Sequence, residues 1–161
     1  MRFISQTKVW GFLARVHVKE ITKATKEDLY EYDLVCIGSP VFHSLPPPDV
    51  FEYIKESEKK YREKFEVNLS APKLINKNAL VFVTYSGPHC GINEALPTGK
   101  YLRQFFEHLG FEVKGEWYEV GEFHGWEEGS TLGIFGDIRG RPNKKDLDFV
   151  EMKTIQIAKS L

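Results

Sequence analysis

Aromatic and reactive side chains are concentrated in three loop-like stretches of this sequence, at residues 39–47, 86–93 and 121–143. Each stretch follows a short apolar run. Aromatic faces stack on planar ligands, imidazoles exchange protons near neutral pH, and exposed thiols are nucleophiles. The side chains with this potential are Phe42, His43, His89, Cys90, Phe123, His124, Trp126 and Glu127.

Metal binding and thiol chemistry are the first alternatives for these residues. His43, His89, Cys90 and His124 could converge on a metal ion or place a proton donor beside a ligand. Their spacing matches no structural zinc pattern, so we predict no metal ligand and no catalytic acid or base. Cys36 and Cys90 are too few for a disulfide framework. Cys90 also lies several residues before the next predicted helix, too far for a helix N-terminus to activate its thiol.

Apolar runs of strand length alternate with longer amphipathic stretches along the chain. Strands at 34–38 and 79–85 are continuous apolar runs, typical of strands buried on both faces of a parallel sheet. The alternation of strands with helices predicts an α/β fold, a doubly wound parallel sheet of about four strands with helices on both faces. We expect one domain over residues 1–161. The predicted strands are 16–21, 34–38, 79–85 and part of 111–120, and the predicted helices are about 49–65, 97–109 and 145–159.

The composition excludes several classes of protein. The chain has 161 residues, is 42% hydrophobic and carries a formal net charge of −1. This hydrophobic content excludes a wholly disordered chain, and the near-neutral charge argues against a nucleic-acid binder. No apolar run approaches the ~20 residues of a membrane helix, and the first residues do not resemble a signal peptide. We therefore expect a cytoplasmic protein with no nucleic-acid or membrane partner.

The order of the loops predicts where a ligand would bind. In open α/β sheets, ligands bind beyond the carboxyl ends of the strands. All three loop stretches follow predicted strands, so they should meet at that edge.

Two of these strand–loop units resemble the flavodoxin-like family. Residues 32–43, YDLVCIGSPVFH, are similar to the third strand and following loop of that family. Residues 82–91, FVTYSGPHCG, are similar to its fourth strand and second flavin loop. Residues 102–113 and 115–118 resemble the next helix and the fifth strand. The resemblance runs from about residue 15 to the end of the chain.

The resemblance implies an FMN cofactor held between residues 39–45 and 84–91. A flavin ring requires apolar or aromatic faces and backbone N–H groups at its polar edge. Phe42 and Tyr85 would flank the ring, Ser39 would bond it or its ribityl chain, and Gly87 and Gly91 would let the backbone approach. The alternative is that these residues only turn the chain and cap the core. The implied cofactor-binding residues are Ser39, Pro40, Val41, Phe42, His43, Thr84, Tyr85, Ser86, Gly87 and Gly91.

The sequence departs from the family at its N-terminus. Flavodoxins begin with a strand and a Ser/Thr- and Gly-rich loop that holds the FMN phosphate, a unit of roughly 30 residues. Only about 15 residues precede the predicted strand at 16–21. We therefore expect this chain to lack the first strand and the phosphate loop, as in a truncated or late-started reading frame. FMN would then bind weakly or not at all, because charge-assisted bonds to phosphate contribute about 1.5–3 kcal/mol each.

Three functions remain open at this stage. The first is FMN-based electron transfer to a redox protein or a small-molecule acceptor. The second is a flavin-free structural or interaction domain with the same fold. The third is a flavodoxin-type NAD(P)H quinone or flavin reductase, for which a homo-oligomer is expected. A partner chain could also supply the missing central strand.

The stretch at 121–143 is too long to be explained as a simple connection. Loops beyond ~12–15 residues in compact domains are usually functional or disordered. Its aromatic residues favour a lid or a docking surface. Asp137 could pair with Arg139 or Arg141, or the two arginines could instead meet a phosphate of a partner or of a nicotinamide cofactor.

Overall fold

A computed structural model describes residues 15–64 and 67–161. Its elements, in chain order, are β1 (Leu34–Pro40), α1 (Pro48–Glu63), β2 (Asn78–Tyr85), α2 (Leu96–His108), β3 (Glu112–Val120), α3 (Glu127–Thr131) and α4 (Lys144–Lys159). Short 3-10 turns lie at Ile21–Lys23, Leu29–Glu31 and Gly91–Glu94.

The three strands form an open parallel sheet in the order β1-β2-β3. The fold is α/β and is compatible with a flavodoxin-like architecture. Continuous apolar runs produce β1 and β2, because both faces of a parallel sheet are normally covered. The strands predicted at 34–38, 79–85 and within 111–120 are confirmed.

The fourth predicted strand, at 16–21, is wrong. Residues 15–20 have no regular structure, and a 3-10 turn begins at Ile21. Val16 and Val18 are 53% and 49% exposed, so their alternation does not bury a face. A short alternating run needs a neighbouring strand to become one, and these residues pair with none of the described strands. The expected loss of a first strand and phosphate loop concerns residues 1–14, which lie outside the described residues.

The core lies between the sheet and the helices α1 and α2. Alternate residues of β2, namely Ala79, Val81 and Val83, are completely buried on this face. α2 contributes Leu102, Phe105 and Phe106 at helical spacing. Gly110, with φ of 79°, follows Leu109, the C-cap residue of α2, at the position where a left-handed conformation closes a helix.

Among the described elements, α4 packs on the opposite face of the sheet beside β3. Asn143 and Asp146 form a capping box at the start of α4. Lys153 Nζ lies 4.4 Å from the Trp117 ring centroid and 2.8 Å from Glu119 Oε1, both on β3. α4 has no fully buried residue. Helices therefore lie on both faces, and on the second face Phe82 of β2 stays 41% exposed.

Candidate functional site

A two-residue hairpin follows β1 at the carboxyl edge of the sheet. The backbone N–H of Val41 donates to Thr84 O at 3.0 Å, so the hairpin starts against the end of β2. Phe42 and Leu45 exchange backbone hydrogen bonds of 2.8 and 2.9 Å. The two residues between them, His43 and Ser44, have φ of 48° and 65°. Non-glycine residues in this region cost roughly 1–2 kcal/mol each, so the turn is strained.

A buried threonine fixes the strained turn. Thr98, in the first turns of α2, is completely buried, and its hydroxyl donates to Ser44 O at 3.1 Å. The hairpin is thus held by the end of β2 on one side and by α2 on the other. In this position Phe42 is 60% exposed. The fold therefore presents a large aromatic ring to solvent on a rigid, strained support.

The loop after β2 is closed by two glycines. Gly87 has φ of 54°, and a Cβ there would lie 2.6 Å from the carbonyl oxygen of Gly91. The N–H of Gly91 donates to Gly87 O at 3.0 Å. A Cβ on Gly91 would lie 3.1 Å from the Phe135 ring. The close approach that requires these glycines is therefore made by the protein's own chain.

A carboxylate organises the tip of the same loop. Glu94 Oε1 accepts hydrogen bonds from the backbone N–H groups of His89 and Cys90, at 2.8 and 2.7 Å. The imidazole and thiol of these two residues stay at the surface. The His89 ring lies 5.9 Å from the Trp126 ring, which connects this loop to the segment after β3.

Backbone donors at this edge are left without acceptors. The Gly87 residue is buried, and no acceptor for its N–H or for that of Ser86 exists within residues 15–64 and 67–161. Ser86 uses its hydroxyl instead, which donates to Gly121 O at 2.8 Å. The N–H groups of His43 and Ser44 have no described acceptor either. Buried N–H groups are normally bonded, so Gly87, the one buried residue of these four, indicates a ligand acceptor at this place.

The segment after β3 is structured and packs on the glycine loop. α3 places Trp126 over Gly129, where an added Cβ would lie 2.4 Å from the indole. Ser130, almost fully buried, accepts from Phe123 N–H at 2.9 Å. Ile134 N–H donates to Pro88 O at 3.0 Å. Segment 121–143 is therefore fixed against the loop after β2.

The arginines of this segment are both engaged by carboxylates. Arg139 bonds Asp137 and, at 2.9 Å, Glu127 Oε1. Hydrogen bonds from the Arg139 side chain and backbone lower the pKa of Asp137 to about 2. Arg141 forms a two-point pair with Asp146, at 2.6 and 3.1 Å. Of the two alternatives for these arginines, the structure contains the ion pair, formed between Asp137 and Arg139.

The predicted site residues divide into two groups. Val41, Phe42, His43, Thr84, Ser86 and Gly87 come together at the carboxyl edge. Ser39 and Tyr85 point into the core instead, 3% and 8% exposed. The Ser39 hydroxyl donates to Pro40 O at 2.8 Å, and burial raises the pKa of Tyr85. Pro40 lies on the opposite face of β1, and Gly91 is buried beneath Phe135.

Three polar residues that shape the site were not identified from the sequence. They are Thr98, Ser130 and Glu94, which bond backbone groups of Ser44, Phe123, His89 and Cys90. Their partners are distant in the chain or belong to loops without a fixed pattern. No local signal distinguishes them from ordinary surface residues.

An open groove lies elsewhere, between the first half of β3 and the end of α4. It has a volume of about 390 Å³ and is lined by Lys114, Trp117, Lys153, Gln156, Ile157 and Ser160. Both lysines are paired, Lys114 with Glu112 and Lys153 with Glu119. The groove is open and its charges are neutralised, so we place the candidate site at the carboxyl edge, where unpaired donors and an exposed ring coincide.

Comparison with known proteins gives no family assignment: the sequence matches no protein-family model and no curated protein. Among the described residues, no cluster of three or more His, Cys, Asp or Glu could hold a metal ion. Within the same residues, no helix has the length and apolar character to span a membrane.

Proposed function

We propose that this protein binds FMN at the carboxyl edge of its sheet and acts in electron transfer. Two observations at the same edge of the sheet carry the proposal: the Phe42 ring after β1 is exposed, and the N–H groups of Ser86 and Gly87 after β2 have no acceptor among the described residues. A flavin ring has an apolar face for stacking and a polar edge of carbonyl and nitrogen acceptors, which suits this combination.

The chain's own residues have distinct tasks in this proposal. Phe42 covers one face of the ring, and the strained turn at His43 and Ser44 keeps it from collapsing onto the protein. The N–H groups of Ser86 and Gly87 orient the ring through its polar edge. When bound, FMN supplies the reversible uptake of electrons; the protein supplies binding and orientation. Electrons would pass to a redox protein or a small-molecule acceptor.

The phosphate end of FMN has no comparable set of donors in the described residues near this edge. Arg139 and Arg141 are both paired with carboxylates. We therefore propose that affinity comes mainly from the ring, and that riboflavin binds within about tenfold of FMN. A much larger preference for FMN would mean that further groups hold the phosphate, because each charge-assisted bond contributes roughly 1.5–3 kcal/mol.

The second candidate is a flavin-free interaction domain, favoured by one observation. The space at Gly87 and Gly91 is filled by the chain itself, and Ser39 and Tyr85 are buried. In that case the loops would serve only to support the exposed apolar surface of segment 121–143, where Leu132 is 79% exposed.

Flavin fluorescence titration distinguishes the two candidates. Quenching at micromolar FMN supports the flavin site, and no quenching up to millimolar FMN supports the interaction domain. Phe42→Ala should weaken binding about tenfold, the equivalent of a stacking contribution of roughly 1–1.5 kcal/mol. Phe149→Ala removes a similarly exposed ring, 51% exposed on α4, and should leave affinity unchanged. Equal effects of both substitutions would refute the assignment of Phe42.

A further inference from the structure

The two outer strands of the sheet differ in how they are protected against pairing. β3 carries Glu112, Lys114, Glu116 and Glu119, and its register with β2 is interrupted between Ala79 and Leu80. Charges and irregularities of this kind prevent edge strands from pairing with other chains. β1 has no charged residue and a continuous register with β2. Of the two edges, β1 is therefore the one that is fit for pairing.

The outward groups of β1 follow from its bonds to β2. Val41 N–H donates to Thr84 O, and Gly38 is registered with Phe82. In a parallel ladder the backbone groups of successive residues point alternately toward and away from the neighbouring strand. Because those of Val41 point toward β2, those of Leu34, Cys36 and Gly38 point away from it. Nothing in residues 15–64 and 67–161 bonds them. Pro40, the next outward residue, has no N–H to donate.

We propose that β1 pairs antiparallel with β1 of a second copy, around a two-fold axis at Cys36. Antiparallel pairing of one strand with itself is the self-complementary contact that a two-fold dimer requires. With the axis at Cys36, Leu34 of each copy lies opposite Gly38 of the other, so every outward N–H and C=O from Leu34 to Gly38 is bonded. Registers centred further along β1 bring Pro40 into the ladder and lose a donor.

The side chains next to this register are complementary. Phe82 covers Gly38 so closely that an added Cβ would lie 2.0 Å from its ring, yet the ring is 41% exposed. Leu34 of the second copy, opposite Gly38, would pack on that exposed part. No charge lies in either strand, so no like charges meet. The short strand alone buries less than a stable dimer needs. The His17 ring lies 5.9 Å from the Tyr32 ring, two residues before β1. The exposed Val16 and Val18 on either side of His17 therefore extend the apolar contact.

Chain mass in solution tests this dimer first. The 161-residue chain should sediment at twice its 18.6 kDa mass at high micromolar concentration, and the dimer should dissociate on dilution. Cys36→Lys places two like charges opposite each other and should give the single-chain mass at every concentration. Cys90→Lys introduces the same charge at the other exposed cysteine and should leave the dimer intact. Circular dichroism checks that both variants stay folded.

Cross-linking tests the register. In an antiparallel bonded pair the two Cα atoms lie about 5.5 Å apart, with both side chains on one face. Burial raises the pKa of the Cys36 thiol to about 11, so its thiolate fraction is small and the reaction needs a long incubation. With Cys90→Ser, a short bis-maleimide should then link two chains through Cys36. With Cys36→Ser it should not, although Cys90 remains exposed. A single-chain mass at all concentrations would overturn the proposal, as would a dimer that survives Cys36→Lys or cross-links only through Cys90.

Discussion

Replacing Gly87 by alanine should destabilise the protein through two separable effects. Its φ of 54° costs an L residue about 1–2 kcal/mol. The new Cβ would also lie 2.6 Å from the carbonyl oxygen of Gly91, which belongs to the backbone and cannot rotate away. Displacing it breaks the bond from Gly91 N–H to Gly87 O, with a net value of about 1 kcal/mol. We expect a loss of roughly 2–3 kcal/mol in the free energy of unfolding.

Gly136 offers a matched control for the first effect. Its φ is 69°, but a Cβ there would meet nothing within 4 Å. Gly136→Ala should therefore lower the free energy of unfolding only by the cost of a positive φ at an L residue, about 1–2 kcal/mol. Urea unfolding followed by circular dichroism measures both variants, with slopes that stay equal because the exposed surface does not change. Equal losses for the two substitutions would refute the close contact that we assign to Gly87. A loss at Gly136 that exceeds the loss at Gly87 would refute it equally.

Three further predictions concern other parts of the structure. The pKa of Asp137 should be about 2 by carboxyl NMR and should return towards 3.8 in Arg139→Ala. Because the pKa is lower in the folded than in the unfolded protein, any stability from this pair is present above about pH 4 and is lost as pH falls through 2. Gly99→Ala would put a Cβ 2.0 Å from the Tyr118 hydroxyl, so it should cost about 1–3 kcal/mol in urea unfolding, and much less in a Tyr118→Leu background. Lys153→Met removes the cation between Trp117 and Phe149, so amide exchange in α4 should accelerate while that of α2 is unchanged. Equal exchange of α4 in the wild type and the variant would contradict the role of Lys153 in holding α4 on the sheet.

The strands and long helices were predictable because their signals are local. The runs at 34–38 and 79–85 are continuous and apolar, as buried parallel strands require. Gly110 marks the end of α2 through its left-handed backbone. The run at 16–21 gives a similar local signal, but no described strand pairs with it. A strand depends on its neighbour, and the sequence does not identify that neighbour.

The sequence predicted where the candidate site residues lie in the fold, but not the orientation of every side chain. The switch-point rule located the carboxyl edge, where residues 41–43 and 84–87 meet. It did not reveal that Ser39 and Tyr85 face the core, because both faces of a parallel strand have apolar sequences and the pattern does not distinguish them. The internal structure of segment 121–143 depends on Trp126 packing over Gly129 and on the buried Ser130. Such tertiary contacts have no local signature.

Amide NMR with added FMN tests the central claim most directly. FMN should shift the N–H resonances of Ser86 and Gly87 most strongly, and should also shift those of His43 and Ser44 at the same edge of the sheet. Resonances of α4 should not move. Shifts confined to the groove between β3 and α4, or no shifts up to millimolar FMN, would contradict a flavin site at the carboxyl edge.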